Sequence, residues 1–142
     1  MNTVTILIVD DDPDDVLIIA DAIKELHPTI QIVSAVNGEI AMGMLTSHLD
    51  LHHSLSLIIL DLNMPKMNGT QTLMALKENQ KFVKIPVVIY STSVNSLEKE
   101  KCLKLGAHSY MTKPLSYKES IATAAHFIEL CNIRSIQTGK TV

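Results

Sequence analysis

At 142 residues the chain can enclose one hydrophobic core and is too short for two comfortable domains. Apolar residues make up 46% and charged residues 19%, which excludes a disordered chain and fits an ordinary globular one. A net charge of −3, with no arginine-rich arm or basic helix, argues against a protein built to coat nucleic acid or an anionic membrane.

The first predicted element is a strand over Thr5–Val9. It has no basic start and an acidic stop, so it is not a signal peptide, and no apolar stretch approaches the ~20 residues that a membrane helix requires. Val9 runs straight into Asp10, Asp11, Asp12, Asp14 and Asp15, a series interrupted only by Pro13. Like charges this close repel one another and raise each other's pKa values, so their placement needs a reason. Asp12 before Pro13 reads as a helix start, the carboxylate capping a free N–H and proline fitting the first helical position. Asp14 and Asp15 then fall in the first turn, where the helix dipole favours negative charge. Val16, Ile19, Ala20, Ile23 and Leu26 carry one apolar face along that helix. Capping leaves Asp10 and Asp11 unexplained. They sit at the carboxyl end of a strand, where open α/β sheets bind ligands, and two adjacent carboxylates held there need a cation.

A second strand is expected over Gln31–Val36, then a helix carrying Ile40, Met44 and Leu45. The polar connection "TSHLDLHHSLS" follows. His48 and His52 have i, i+4 spacing and His53 lies beside them, but no further ligand is near, and a polar loop accounts for them better than zinc does. The third strand, Leu55–Leu60, ends at Asp61, and Pro65 with Asn68–Gly69 marks a turn. A helix bearing Leu73, Leu76 and Lys77 comes next. The fourth strand, Val87–Tyr90, delivers Ser91, Thr92 and Ser93. A charged helix with Leu97, Leu103 and Leu105 leads to a weaker strand over His108–Met111, which delivers Lys113 and Pro114. The last helix carries Ile121, Ala124, Ala125 and Ile128. From Asn132 the pattern fades, giving a domain over 1–131 and a flexible tail over 132–142, with no output domain. Cys102 and Cys131 lack CxxC spacing and read as free thiols in a reducing cytoplasm. The methionines read as core and loop filler rather than a copper site.

Strand followed by helix, five times over, argues for an open α/β sheet with right-handed crossovers and helices on both faces. In such a sheet Asp61 can converge with Asp10 and Asp11. Carboxylate oxygens with waters suit Mg²⁺. A hydroxyl at Ser91 and an ammonium at Lys113 on the same edge suit a phosphoryl group, whose oxygens the charges neutralise and the hydroxyl hydrogen-bonds.

Taken in order, "ILIVDDDPDD", "LIILDLNMPKMNG", "IPVVIYSTS" and "GAHSYMTKP" resemble the receiver domain of two-component response regulators over about Thr5 to Leu130. The resemblance implies a flavodoxin-like five-stranded parallel sheet of order 2-1-3-4-5. It implies Asp61 as phospho-acceptor, a carboxylate nucleophile, with Asp11 as a direct Mg²⁺ ligand, Asp10 acting largely through water, and the Asn63 backbone carbonyl as a further ligand. It also implies Ser91 as switch hydroxyl, Lys113 as the phosphate-pairing lysine before a cis bond to Pro114, and Tyr110 as switch aromatic. Ser93 and Asn63 border the path of a hydrolytic water, so the phosphate lifetime stays open.

"DDPDD", the long connection and "DLNMPKMNG" look like the stand-alone branch that includes partners of phytochrome-type kinases. The implied function is a cytoplasmic single-domain response regulator in a phosphorelay. It would take a phosphoryl group from a sensor histidine kinase or histidine phosphotransfer protein and signal to a downstream protein. It would touch neither nucleic acid nor membrane, catalyse only its own phosphorylation and dephosphorylation, and leave homodimerisation open. A pseudo-receiver interaction module is the alternative, but such modules lose the acceptor, an acid or the lysine, and all are present here. A Mg²⁺-dependent phosphatase of haloacid-dehalogenase type fits worse, because its nucleophile ends the first strand rather than the third.

Overall fold

The computed structural model describes residues 4–47, 54–92 and 94–137. The expectations for His48, His52, His53 and Ser93 fall outside them. The chain alternates β1 (Thr5–Val9), α1 (Pro13–Leu26), β2 (Gln31–Ala35), α2 (Gly38–Ser47), β3 (Leu55–Leu60), α3 (Gly69–Glu78), β4 (Val87–Ser91), α4 (Ser96–Lys104), β5 (Ser109–Thr112) and α5 (Tyr117–Gln137). The strands form one parallel sheet in the order β2-β1-β3-β4-β5. This is the flavodoxin-like arrangement, with strand boundaries within a residue or so of those expected.

The sheet works because its central strands are apolar on both sides. Ile6, Ile8, Leu57, Ile59, Val88 and Tyr90 face α1 and α5, packing on Ile19, Ile23, Ala124, Phe127 and Leu130. The alternate residues Leu7, Val9, Ile58, Leu60, Val87 and Ile89 face the other layer, against Ala41, Leu45, Leu73, Leu76 and Cys102. Period-two alternation therefore feeds two cores at once, and this is why β1, β3 and β4 read as unbroken apolar runs. Each large side chain fully buried in this way contributes roughly 1.5–3 kcal/mol relative to exposure. At the edge, β2 is less covered: Gln31 and Ser34 are exposed, and Ile32 and Val33 are only half-buried.

Some helical expectations shift. Leu97 is 79% exposed, and the residue α4 buries is Cys102. Leu26 and Ile40, expected on inner faces, are also exposed. α5 continues to Gln137, past the point where its apolar pattern fades. No Gly or Pro lies between Tyr117 and Gln137 to stop it. The Lys113–Pro114 bond, expected cis, is trans, as is every peptide bond among the described residues. Trans is the form an X–Pro amide favours by ~0.5–1 kcal/mol where nothing enforces the other.

Candidate functional site

Register brings the acids together. Val9 sits opposite both Ala35 and Leu60, so the residues that follow β1 and β3 leave the sheet side by side. The Asp10 N–H donates to Ala35 O at 3.0 Å and the Asp61 N–H to Val9 O at 2.9 Å, extending the ladder by one residue under each carboxylate. Asp10 and Asp61 are buried, while Asp11 lies at the solvent side. One carboxylate oxygen from each of Asp10, Asp11 and Asp61 lies within 4.8 Å of the other two.

The loops that leave these strands are closed by local chemistry. Asp12 caps α1 by accepting from the Asp14 N–H, with Pro13 at the first helical position. The Asp12 N–H in turn donates to Asp10 Oδ1 at 2.9 Å, which fixes the Asp10 rotamer. After β3, the Asn63 N–H donates to Asp61 Oδ1 at 3.4 Å. The chain then turns through Lys66, whose φ of 64° is a left-handed conformation a lysine rarely adopts. A capping box between Asn68 and Gln71 starts α3. Gly69 passes so close to the end of β3 that a Cβ there would lie 2.3 Å from Asp61 O and 2.6 Å from Leu62 Cα. Only glycine allows that approach.

The opposite wall comes from β4 and β5. Ser91, buried, ends β4 opposite Thr112, and the Lys113 N–H donates to Ser91 O at 2.6 Å. Lys113 Nζ reaches across the strand ends to Asp10 Oδ2 at 2.8 Å and Asp15 Oδ2 at 2.8 Å, with Asp61 Oδ2 at 3.9 Å. The Tyr90 ring, 5.9 Å from Nζ, lies beneath the ammonium and is held edge-on by Phe127. Tyr110 on β5 lies opposite Ile89 and is buried in the core on the α2, α3 and α4 side.

Burial pushes the Asp61 carboxyl up to about 6. Lys113 works against that rise, and Asp10 adds to it. Burial also opposes the charge on Lys113, but hydrogen bonds to Asp10 and Asp15 outweigh it and leave its pKa above the usual lysine value. Desolvation, helped by Asp15 and Asp10, raises the Tyr90 hydroxyl as well. One ammonium thus faces three carboxylates, Asp10, Asp15 and Asp61. The donor set is all oxygen, with no His or Cys, and fits a hard divalent cation rather than zinc.

The structure brings together Asp10, Asp11, Asp61 and Lys113, with Ser91 on the adjoining strand end. It adds one residue that capping arguments hid. Asp15 serves Lys113 and not only the helix dipole. The signal was available in the spacing: Asp15 precedes buried Ile19 by four residues and Ala22 by seven, which puts it on the inward stripe of α1.

A parallel sheet of this order, with acids, a hydroxyl and a lysine at successive strand ends, places the chain in the flavodoxin-like class of receiver folds. Residues 6–125 match the family described as response regulator receiver domain, and the chain belongs to that family. It is 33% identical over 116 residues to a probable chemotaxis protein CheY of Rhizobium etli, covering 82% of this chain and 85% of that one. The phosphorylated cyanobacterial phytochrome response regulator RcpA superposes with a TM-score of 0.81 at 27% identity, covering 89% of this chain and 92% of that one. The Mn(2+)-bound form of Rcp1, a response regulator of Synechocystis, gives 0.73 at 26% identity over 97% and 96% of the two chains. Other relatives are longer: the chain spans 24% of a probable cyclic di-GMP phosphodiesterase of Vibrio cholerae and 46% of the transcriptional regulatory protein CpxR of Escherichia coli. Among the described residues no helix is long and apolar enough to cross a membrane.

Proposed function

We propose that this receiver domain is the phosphoryl-accepting switch of a two-component phosphorelay, with Asp61 as the acceptor. An Asp61 carboxylate oxygen attacks the phosphorus of a phosphohistidine on a sensor kinase or phosphotransfer protein. A P–O bond forms as the N–P bond breaks, and the departing imidazole takes up a proton. Water later hydrolyses the aspartyl phosphate to restore Asp61 and release inorganic phosphate. Mg²⁺ held by Asp10, Asp11, Asp61 and the Asn63 carbonyl would supply positive charge for the phosphoryl oxygens. Lys113 pairs with one of those oxygens, and Ser91 donates a hydrogen bond to another. Movement of Ser91 draws Tyr110 with it and biases the face formed by α4, β5 and α5. Val94, Leu97 and Leu103, exposed apolar side chains beside or on α4, support that face as the contact for a downstream protein. Cys102, buried and outside any disulfide, suits a cytoplasmic location.

The observation that carries this reading is a buried Asp61 carboxylate held within 4.8 Å of Asp10 and Asp11 and 3.9 Å from Lys113. Since acceptor, acid pair and lysine are all present, nothing favours the pseudo-receiver alternative. The test is intact mass after incubation with Mg²⁺ and acetyl phosphate. One phosphoryl adduct is expected, lost in Asp61→Asn and suppressed by EDTA. An adduct that survives in Asp61→Asn sinks the assignment.

A further inference from the structure

We infer that Asp15 is a positioning residue that holds the Lys113 ammonium away from Asp61 and so restrains phosphoryl uptake; this rests on the function proposed above. An ammonium has three donors. Two of them are committed at 2.8 Å, to Asp10 and to Asp15, while Asp61 waits at 3.9 Å. Asp10 is fixed from below by the Asp12 N–H and by the β2 ladder, so it cannot give way. Asp15 is the looser partner: its side chain is 28% exposed and enters from α1 rather than from a strand end. The third donor can meet a phosphoryl oxygen on Asp61, but drawing the ammonium fully onto that group stretches one of the two 2.8 Å contacts, and Asp15 is the partner whose charge water can take over. Ionised Asp15 also opposes an incoming phosphoryl anion. Both effects act in the same direction.

A helix-dipole role alone would make Asp14 and Asp15 equivalent, since they share the first turn of α1. They differ in contact: Asp14 is exposed and pairs with no cation among the described residues, whereas Asp15 meets Lys113. The matched pair therefore separates the two roles.

The experiment compares rates of adduct formation from acetyl phosphate and Mg²⁺ for wild type, Asp15→Asn, Asp15→Glu and Asp14→Asn. Asp15→Asn should react about two- to fivefold faster, within the span that a partly exposed charge pair commands. Asp15→Glu should return towards the wild-type rate, and Asp14→Asn should match it. Calorimetric Mg²⁺ affinity should change less than twofold in Asp15→Asn. In the Lys113→Ala background the acceleration should shrink to the part that comes from the charge of Asp15 alone, and an acceleration of undiminished size there overturns the positioning role. In metal-free protein, urea denaturation should show Asp15→Asn and Lys113→Ala to be non-additive. Should Asn distort the turn, Asp15→Gln tests the same point. An unchanged or slower Asp15→Asn, with wild type reacting normally, overturns the role of Asp15 and leaves the proposed function standing. A wild type that takes up no phosphoryl group removes the proposed function itself.

Discussion

Asp61 is held in a state that suits reaction better than stability. Burial lifts its carboxyl to about 6, from 3.8 in an unfolded chain. A group raised in this way favours the folded state when protonated. Its contribution is complete below about 3.8 and is lost as pH rises through about 6, so at neutral pH the ionised side chain costs on the order of 2–3 kcal/mol. In EDTA, Asp61→Asn should therefore be more stable than wild type at pH 7.5 by about 2 kcal/mol, with the gap closing as pH falls towards 4. Urea midpoints across that range measure it. A gap that widens on acidification would mean that Lys113, not burial, governs Asp61. The same side chain was legible in the sequence because it ends a continuous apolar run. Asp15 was not, because a first-turn aspartate already has a sufficient local explanation in the helix dipole. Only its long-range partner, 98 residues away, reveals the second role.

At the scale of elements, the position of Asp61 depends on how tightly α3 folds back beneath it. Gly69→Ala would drive a Cβ into backbone atoms of Asp61 and Leu62 at 2.3–2.6 Å. Backbone cannot rotate away as a side chain can, so the cost should sit at the top of the range for overpacking, about 3 kcal/mol, and adduct formation should slow as Asp61 is displaced. Gly43→Ala is the contrast. It lies on the exposed face of α2 with nothing within 4 Å of the added carbon, and should stabilise by roughly 0.5–1 kcal/mol through helix propensity. Urea denaturation of the two variants checks both signs. A Gly69→Ala protein as stable as wild type would show that the β3–α3 turn is looser than drawn. Strands were easier to read than helices for a related reason. β1, β3 and β4 are buried on both faces, so burial and sequence coincide residue by residue. In α4 the charged residues dominate and Leu97 points outward, so apolar spacing named the wrong side and missed Cys102.

For the molecule as a whole, the sheet order decides what the site can be. Because β1 lies between β2 and β3, with β4 and β5 beyond, residues as distant as Asp10, Asp61, Ser91 and Lys113 meet at one edge. Alternating strands and helices announced the parallel sheet; the order itself came from resemblance, since five βα units alone allow several arrangements. Convergence of the strand-end acids followed from that order, and the geometry of Lys113 did not. A long side chain spanning several strands has no signature in local sequence. The same edge places Asp61 beside the β4–α4 and β5–α5 connections, so a charge added there would act on Ser91 and Lys113 together.

The most direct test treats the phosphorylated protein with borohydride, which reduces an aspartyl phosphate to homoserine, and then maps peptides by mass. Homoserine at position 61 and nowhere else is the expected outcome, in wild type incubated with Mg²⁺ and acetyl phosphate and not in its EDTA control. Homoserine at Asp10, Asp11 or Asp15, or an adduct that resists reduction and maps to a histidine, would contradict the assignment of Asp61 as the acceptor.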